Sequence, residues 1–306
     1  MKVGFIGIGT MGSHMALNVR KGGHDVAVHD LRESAAGPHL QAGCTWANSA
    51  AEAARGADVV LTSLPGPKEV QATAEELLPA MRKGAVWFDL STNSPTIVRA
   101  IAARFAEKGI AMLDCPVSGG PSGAKSGKLA LWAGGDKAAF DKYKAVLDAI
   151  GDQVVYIGPA GAGTVAKLAH NCASFSIMAV LAEVMTLGVK AGVEPLALWS
   201  AIREGATGRK RAFDRLGEQF MMKQFDPAAF ALDLAHKDVT FAVELGREFK
   251  VPMKLASTAL AEMTEAMNRE GWPKRDSRVF MLLQEERAGV DIKVPEAKVQ
   301  EVLKRN

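Results

Sequence analysis

Val3-Gly4-Phe5-Ile6-Gly7-Ile8-Gly9-Thr10-Met11-Gly12 is the stretch that decides the fold. A short apolar run ends directly in G-x-G-x-x-G, and a helical segment, Met11 to about Lys21, begins inside it. A Gly22-Gly23 turn follows, and then a second apolar run, Val26 to His29, closed by Asp30. The glycines allow a tight turn, close backbone approach to a pyrophosphate and close packing of helix on strand, with phosphates at the helix N-terminus. The glycine pattern alone is weak evidence. Its context is stronger, because the strand, helix, turn and acid stand where a dinucleotide-binding fingerprint needs them, the acid about 20 residues on. Asp30 would accept hydrogen bonds from the ribose hydroxyls and repel a 2′-phosphate, which favours NAD. Arg32 leaves NADP possible, since a guanidinium can pair with that phosphate, although it could equally stack on adenine or stay solvated.

Outward from this unit, Val59 to Ser63, Val86 to Leu90 and Ala111 to Leu113 are further strand-like runs, each followed by a turn signal and a helical stretch. Such alternation predicts a parallel sheet with crossover helices. From about Thr164 the β-branched runs almost vanish and Ala, Leu, Met and Glu dominate. The expected architecture is therefore an α/β Rossmann-type N-terminal domain with a parallel sheet, residues 1–162. An all-α C-terminal domain, residues 163–306, follows it and is joined by a long helix. The boundary lies near Gly158-Pro159-Ala160-Gly161.

The chain has 306 residues, 48% of them apolar, enough to bury a core in each domain. Lys and Arg number 37 against 34 Asp and Glu, so no global field draws it to nucleic acid or anionic lipid, while a small acidic metabolite needs only a local pocket. Cys44, Cys115 and Cys172 are far apart and form no C-x-x-C pair, which argues against disulfides and against a metal site and points to the cytoplasm. Gly7 interrupts the first apolar run at once, so it reads as a strand and not as a signal peptide. Cys172 to Val193 approaches membrane-spanning length, but Glu183 and Lys190 interrupt it, and it reads as a buried helix.

Two clusters carry chemistry. In Asp114-Cys115-Pro116-Val117-Ser118-Gly119-Gly120-Pro121 a serine precedes paired glycines at a strand end, where N–H groups and a hydroxyl could hold a carboxylate or simply form a turn. In Gly161-Ala162-Gly163-Thr164-Val165-Ala166-Lys167-Leu168-Ala169-His170-Asn171, Lys167 and Asn171 share one helix face. An ammonium in a closed cleft can give a proton to a developing alkoxide and an amide can orient it, although a helical lysine is more often just solvated. His170 points off that face and reads as a packing residue, and Cys115 as a small hydrophobe.

These motifs together resemble the 3-hydroxyisobutyrate dehydrogenase family of short-chain 3-hydroxyacid dehydrogenases, which includes tartronate semialdehyde reductases and is related to 6-phosphogluconate dehydrogenase. The likeness runs from Gly7–Gly12, through Asp114–Gly120 and Gly161–Asn171, to Lys237-Asp238. It implies Lys167 as catalytic acid/base, Asn171 as its substrate-orienting companion, and Ser118, Gly119 and Gly120 as the carboxylate site. The cofactor set it implies is Gly7, Ile8, Gly9, Thr10, Met11, Gly12 and Asp30, with Leu64, Pro65, Thr92 and Lys237. The implied reaction interconverts a small 3-hydroxy acid and its semialdehyde with NAD, in a homodimer or homotetramer. An imine or 6-phosphogluconate-type reaction, or cofactor binding without catalysis, are the alternatives. Departures exist. Many members have Asn-Asn where this chain has His170-Asn171, and the glutamate that 6-phosphogluconate dehydrogenase carries three residues past its Asn is Ser174 here. The run Arg209, Lys210, Arg211 could meet a second acidic group or stay solvated.

Overall fold

β1 (Lys2–Ile6) is an inner strand of the sheet, with Val3, Phe5 and Ile6 buried and a parallel partner on each side, β2 (Asp25–His29) and β4 (Val59–Thr62). The computed structural model describes residues 1–209 and 216–304, in two compact units, Met1–Ala173 and Ser174–Asn306. In the first unit β3 (Thr45–Trp46), β5 (Val86–Asp89) and β6 (Ala111–Asp114) complete the parallel order β3-β2-β1-β4-β5-β6. Every residue of β4 and β5 is buried, which is why Val59 to Leu61 and Val86 to Phe88 read as apolar runs without alternation, each closed by a polar residue, Thr62 and Asp89.

Helices cover both faces. α1 (Gly12–Lys21) contributes Met15 and Val19 to one core with Phe5 and Val28. α4 (Pro67–Ala80) and α5 (Pro95–Glu107) contribute Leu77 and Phe105 to the other, around Val60 and Trp87. Short α2 (Gly37–Gln41) and α3 (Ala50–Ala54) lie within the connections. Beyond β6 the sheet continues in strands that the sequence reading did not single out. β8 (Leu129–Gly134) is antiparallel to β6 and to β7 (Val117–Ser118) and parallel to β9 (Gly151–Gly158). β3 and β7 have only two residues each, and β8 is half Ala and Gly, so periodicity does not mark them, whereas β9 carries a β-branched run, Val154-Val155-Tyr156-Ile157, that the reading passed over. α6 (Gly120–Ser126) and α7 (Lys137–Leu147) connect these strands.

α8 (Ala162–Lys190) begins on this sheet. Asp114, buried at the end of β6, accepts hydrogen bonds from the Gly161 N–H at 2.7 Å and the Thr164 N–H at 2.6 Å, so a carboxylate answers the unpaired donors and positive end of the helix. A Cβ on Gly163 would stand 2.2 Å from the Trp132 carbonyl oxygen, which shows how closely the helix meets β8. The first compact unit takes in these first turns of α8 and ends at Ala173.

The remainder of α8 corrects one expectation. The segment Cys172 to Val193 is not a buried helix within this chain: Phe175 is 73% and Met178 62% exposed. By length and composition α8 is also the one helix among the described residues that could cross a membrane. Its Glu183, however, accepts hydrogen bonds from the Leu255 and Ala256 N–H groups at 2.9 and 3.2 Å, at the start of another helix. That helix belongs to the second unit, whose described elements are α9 (Pro195–Glu204), α10 (Ala206–Arg209), α11 (Leu232–Glu248), α12 (Lys254–Met267), α13 (Leu282–Ala288) and α14 (Glu296–Leu303), with short π and 3-10 turns. Phe220, Phe225, Leu232, Met263 and Leu283 form its core.

Asp114→Ala removes the acceptor of two buried N–H groups, so a loss of about 2–4 kcal/mol in unfolding free energy is expected. A urea midpoint unchanged from wild type would show that α8 does not depend on this carboxylate.

Candidate active site

The loop between β1 and α1 lies at the point where strand order reverses, the place where open α/β sheets bind ligands. Gly7 has φ +88°, which favours glycine, and its N–H donates to the His29 carbonyl at 2.8 Å. A Cβ on Gly12 would lie 1.8 Å from the Gly7 carbonyl oxygen, so helix and strand approach as only glycine allows. A Cβ on Gly9 would meet nothing within 4 Å. The three glycines thus do three jobs, and the open side of Gly9 faces a cleft of about 610 Å³.

Gly7, Gly9, Thr10, Met11 and Gly12 line that cleft. Ile8 does not; its side chain is core, and its N–H donates to Asp30 Oδ2 at 3.0 Å. Asp30 Oδ1 accepts from the Arg32 N–H at 3.0 Å, and Arg32 Nε lies 3.7 Å from the same oxygen. Asp30 therefore joins the glycine loop to the β2 end, and its two oxygens retain lone pairs for ribose hydroxyls. Arg32 also lines the cleft, drawn toward that acid. Ser63, Leu64 and Pro65, after β4, form the facing wall with Glu69 and Thr73 of α4. Sequence reasoning had named only Leu64 and Pro65 of this wall. Thr92 is exposed after β5 and is not among the lining residues, while Lys237 belongs to α11 in the second unit and pairs with Asp238 at 3.3 Å. An open glycine face, a helix N-terminus and an acid at the ribose position fit a nicotinamide dinucleotide.

The residues expected to act on substrate lie along β7 and α8. Ser118 ends β7 and is half-buried; Gly119 and Gly120 follow with φ of +132° and +61°, and a Cβ on Gly120 would meet nothing within 4 Å. Lys167 and Asn171 stand one turn apart on α8, both half-buried. Lys167 forms no ion pair among the described residues, and burial pushes its pKa below the ordinary lysine value. Asn171 Oδ1 lies 3.1 Å from His170 Nδ1. The His170 ring in turn sits 5.2 Å from that of Trp132 on β8, a residue that sequence reasoning missed. His170 is exposed, so it is not a core histidine, yet it packs on Trp132 and engages Asn171. β8 carries Trp132 and pairs Ser118 with Ala130, so the serine turn and the start of α8 share one supporting strand. Cys115 is wholly buried, and burial first, then the charges of Asp114 and Asp89, push its thiol far up, so it packs and does not react. Lys210 and Arg211 lie outside the described residues; Arg209 is exposed at the end of α10.

Fold and cleft define a dinucleotide-binding protein. Residues 2–158 match the family model described as the NAD binding domain of 6-phosphogluconate dehydrogenase, and residues 161–283 that described as NAD-binding of NADP-dependent 3-hydroxyisobutyrate dehydrogenase. The chain is 34% identical over 295 residues to 2-(hydroxymethyl)glutarate dehydrogenase of Eubacterium barkeri, covering 95% of this chain and 97% of that one. It is 34% identical over 290 residues to the NAD-dependent L-serine dehydrogenase of Pseudomonas aeruginosa, covering 92% and 97%. The solved 3-hydroxyisobutyrate dehydrogenase of Mycobacterium tuberculosis with L-serine superposes with a TM-score of 0.65 at 28% identity, over 92% of this chain and 98% of that one. This chain belongs to the 3-hydroxyisobutyrate dehydrogenase family of NAD(P)-dependent 3-hydroxyacid dehydrogenases.

Replacing Gly9 with Val should leave the thermal midpoint near wild type, because the side chain enters open space, yet raise the NADH Kd at least about tenfold by blocking the phosphates. Gly12→Val should lower both stability and affinity, since its Cβ collides with the Gly7 carbonyl. Normal NADH binding by the Gly9 variant in a fluorescence titration would place the pyrophosphate elsewhere.

Proposed function

We propose that the chain interconverts a short 3-hydroxy acid and its semialdehyde with NAD in preference to NADP, and that Lys167 moves the proton. The observation that carries this reading is a half-buried lysine without an ion pair among the described residues, one turn from Asn171, on a helix anchored to the sheet that builds the dinucleotide cleft. When bound, the nicotinamide would supply the hydride acceptor or donor. In oxidation Lys167, as the neutral amine, takes the hydroxyl proton, and in reduction its ammonium returns it. Asn171 fixes the same oxygen through its amide N–H, with its Oδ1 turned to His170. Ser118 and the backbone at Gly119 and Gly120 hold the substrate carboxylate; the empty space beside the Gly120 Cα supports that close approach. The names of the relatives support the substrate class, because 2-(hydroxymethyl)glutarate, L-serine and 3-hydroxyisobutyrate all carry a carboxylate and a hydroxyl on the next-but-one carbon. Asp30 supports NAD, by accepting from ribose hydroxyls and repelling a 2′-phosphate.

The apolar, exposed side of α8 supports association with a second copy, as a dimer or tetramer. Light scattering should give a mass that is two or four times the 32.4 kDa chain, and a monomer at micromolar concentration would remove that part of the reading.

Lys167→Met should lower kcat by about 10²–10⁴ with the NADH Kd nearly unchanged. Burial favours the neutral amine, so the rate of oxidation should rise with pH through an apparent pKa below the ordinary lysine value and then level, while reduction falls over the same limb. The profile is to be measured with 3-hydroxyisobutyrate and L-serine, each with NAD and NADP. A variant that keeps kcat and loses only KM would make Lys167 a clamp, and a wild-type preference for NADP would assign the ribose pocket to Arg32.

A further inference from the structure

β5 ends in Asp89, a carboxylate with 0% exposure and no cation beside it among the described residues. Every group that meets its oxygens is a donor. Thr62 Oγ1, at the end of β4, donates to Oδ1 at 2.9 Å; the Ser91 N–H donates to Oδ1 at 3.1 Å; Asn93 Nδ2 donates to Oδ2 at 3.1 Å. Trp87 Nε1 donates to Thr62 Oγ1 at 2.9 Å, which turns the threonine proton toward Asp89. Burial pushes the Asp89 carboxyl upward, and the hydrogen bonds from Ser91, Asn93 and Thr62 pull it back. A buried carboxyl group held only by neutral donors is a costly way to fill a core, and an apolar residue would fill the same space more cheaply.

What this arrangement holds is one wall of the cofactor cleft. Ser91, itself 4% exposed, takes its place from its N–H bond to Asp89, and its Oγ accepts from the Leu64 N–H at 2.9 Å. Leu64 and Pro65 line the cleft, and Pro65 has no N–H of its own with which to fix the loop. The Leu64 N–H is therefore directed inward, to a serine that the carboxylate orients, and the outer side of the loop is left to meet a ligand.

We propose that Asp89 and Ser91 are positioning residues for the dinucleotide, which act without touching it by fixing the loop after β4 through the Ser91 Oγ to Leu64 N–H bond. The proposal rests on the cleft being the nicotinamide dinucleotide site. It is tested on the full chain with Ser91→Ala, Ser91→Thr and Asp89→Asn, and with Tyr143→Phe as a control. The last removes a hydrogen bond to the Gly84 carbonyl, 3.1 Å long, from a residue that does not line the cofactor cleft. Ser91→Ala should raise the NADH Kd, read by fluorescence titration, and the KM for NAD by about tenfold, the scale of one lost hydrogen bond, while kcat at saturating NAD stays within about twofold. Ser91→Thr keeps the hydroxyl and should restore most of the affinity. Asp89→Asn turns an NH₂ group toward existing donors and should weaken NADH binding further; where it does not fold, the two serine variants decide. Wild-type affinity in Ser91→Ala, or a loss no greater than in Tyr143→Phe, would overturn the proposal. Absence of NADH binding by the wild-type protein would instead overturn the cofactor reading beneath it.

Discussion

Helix α1 starts so close to the end of β1 that the Gly7 carbonyl oxygen occupies the space a Cβ of Gly12 would need. Most of the cofactor cleft follows from that approach. It brings the N-terminal N–H groups of α1 to the point where strand order reverses, and it leaves the flank of Gly9 open. It also directs the Ile8 N–H toward the end of β2, where Asp30 meets it. One acid then has two tasks, because the oxygens that tie loop to strand are those that a ribose would meet. A bulkier residue at position 12 would move the helix, and with it the phosphate site and the Asp30 contact together.

Two buried carboxylates at the ends of neighbouring strands extend the same logic across the sheet. Asp89 closes β5 and Asp114 closes β6, and the Cys115 N–H donates to the Asp89 carbonyl at 2.7 Å. Neither relies on a cation among the described residues; each is surrounded by donors. Asp114 satisfies the start of α8, the helix on which Lys167 and Asn171 lie, whereas Asp89 organises the loops after β4 and β5. The C-terminal edge of the sheet is thus held by fixed hydrogen bonds, which keep their geometry better than a salt bridge between long side chains would.

α8 unites unlike surroundings in one helix. Its first turns are fitted against β8 and Asp114, with Gly163 and Thr164 buried. Its middle carries apolar side chains into the open, and Glu183 near its end caps α12. A mixed environment of this kind explains why a window of composition reads the segment as buried, since hydropathy reports what a side chain would gain from cover and not whether this chain provides it.

Much of the fold was legible from local pattern. The alternation of buried runs, the glycines at 7, 9 and 12, Asp30 at the close of the second run and the shared face of Lys167 and Asn171 all follow from periods of two and 3.6 residues and from steric rules that act over a few positions. The strands β3 and β7 are too short for a period and β8 is half Ala and Gly, whereas β9 carries a legible run, Val154-Val155-Tyr156-Ile157, that the reading passed over. The exposure of Phe175 and the tilted ring contact of His170 with Trp132 depended on distant segments. So did the meaning of Asp89 and Asp114: a carboxylate at a strand end reads as surface or as chemistry, and only tertiary structure supplies the donors, 27 residues away at Thr62 and 47 away at Gly161, that make each of them a buried fixture. Local sequence sets which conformations are sterically open, whereas burial and hydrogen-bond satisfaction are properties of the assembled neighbourhood.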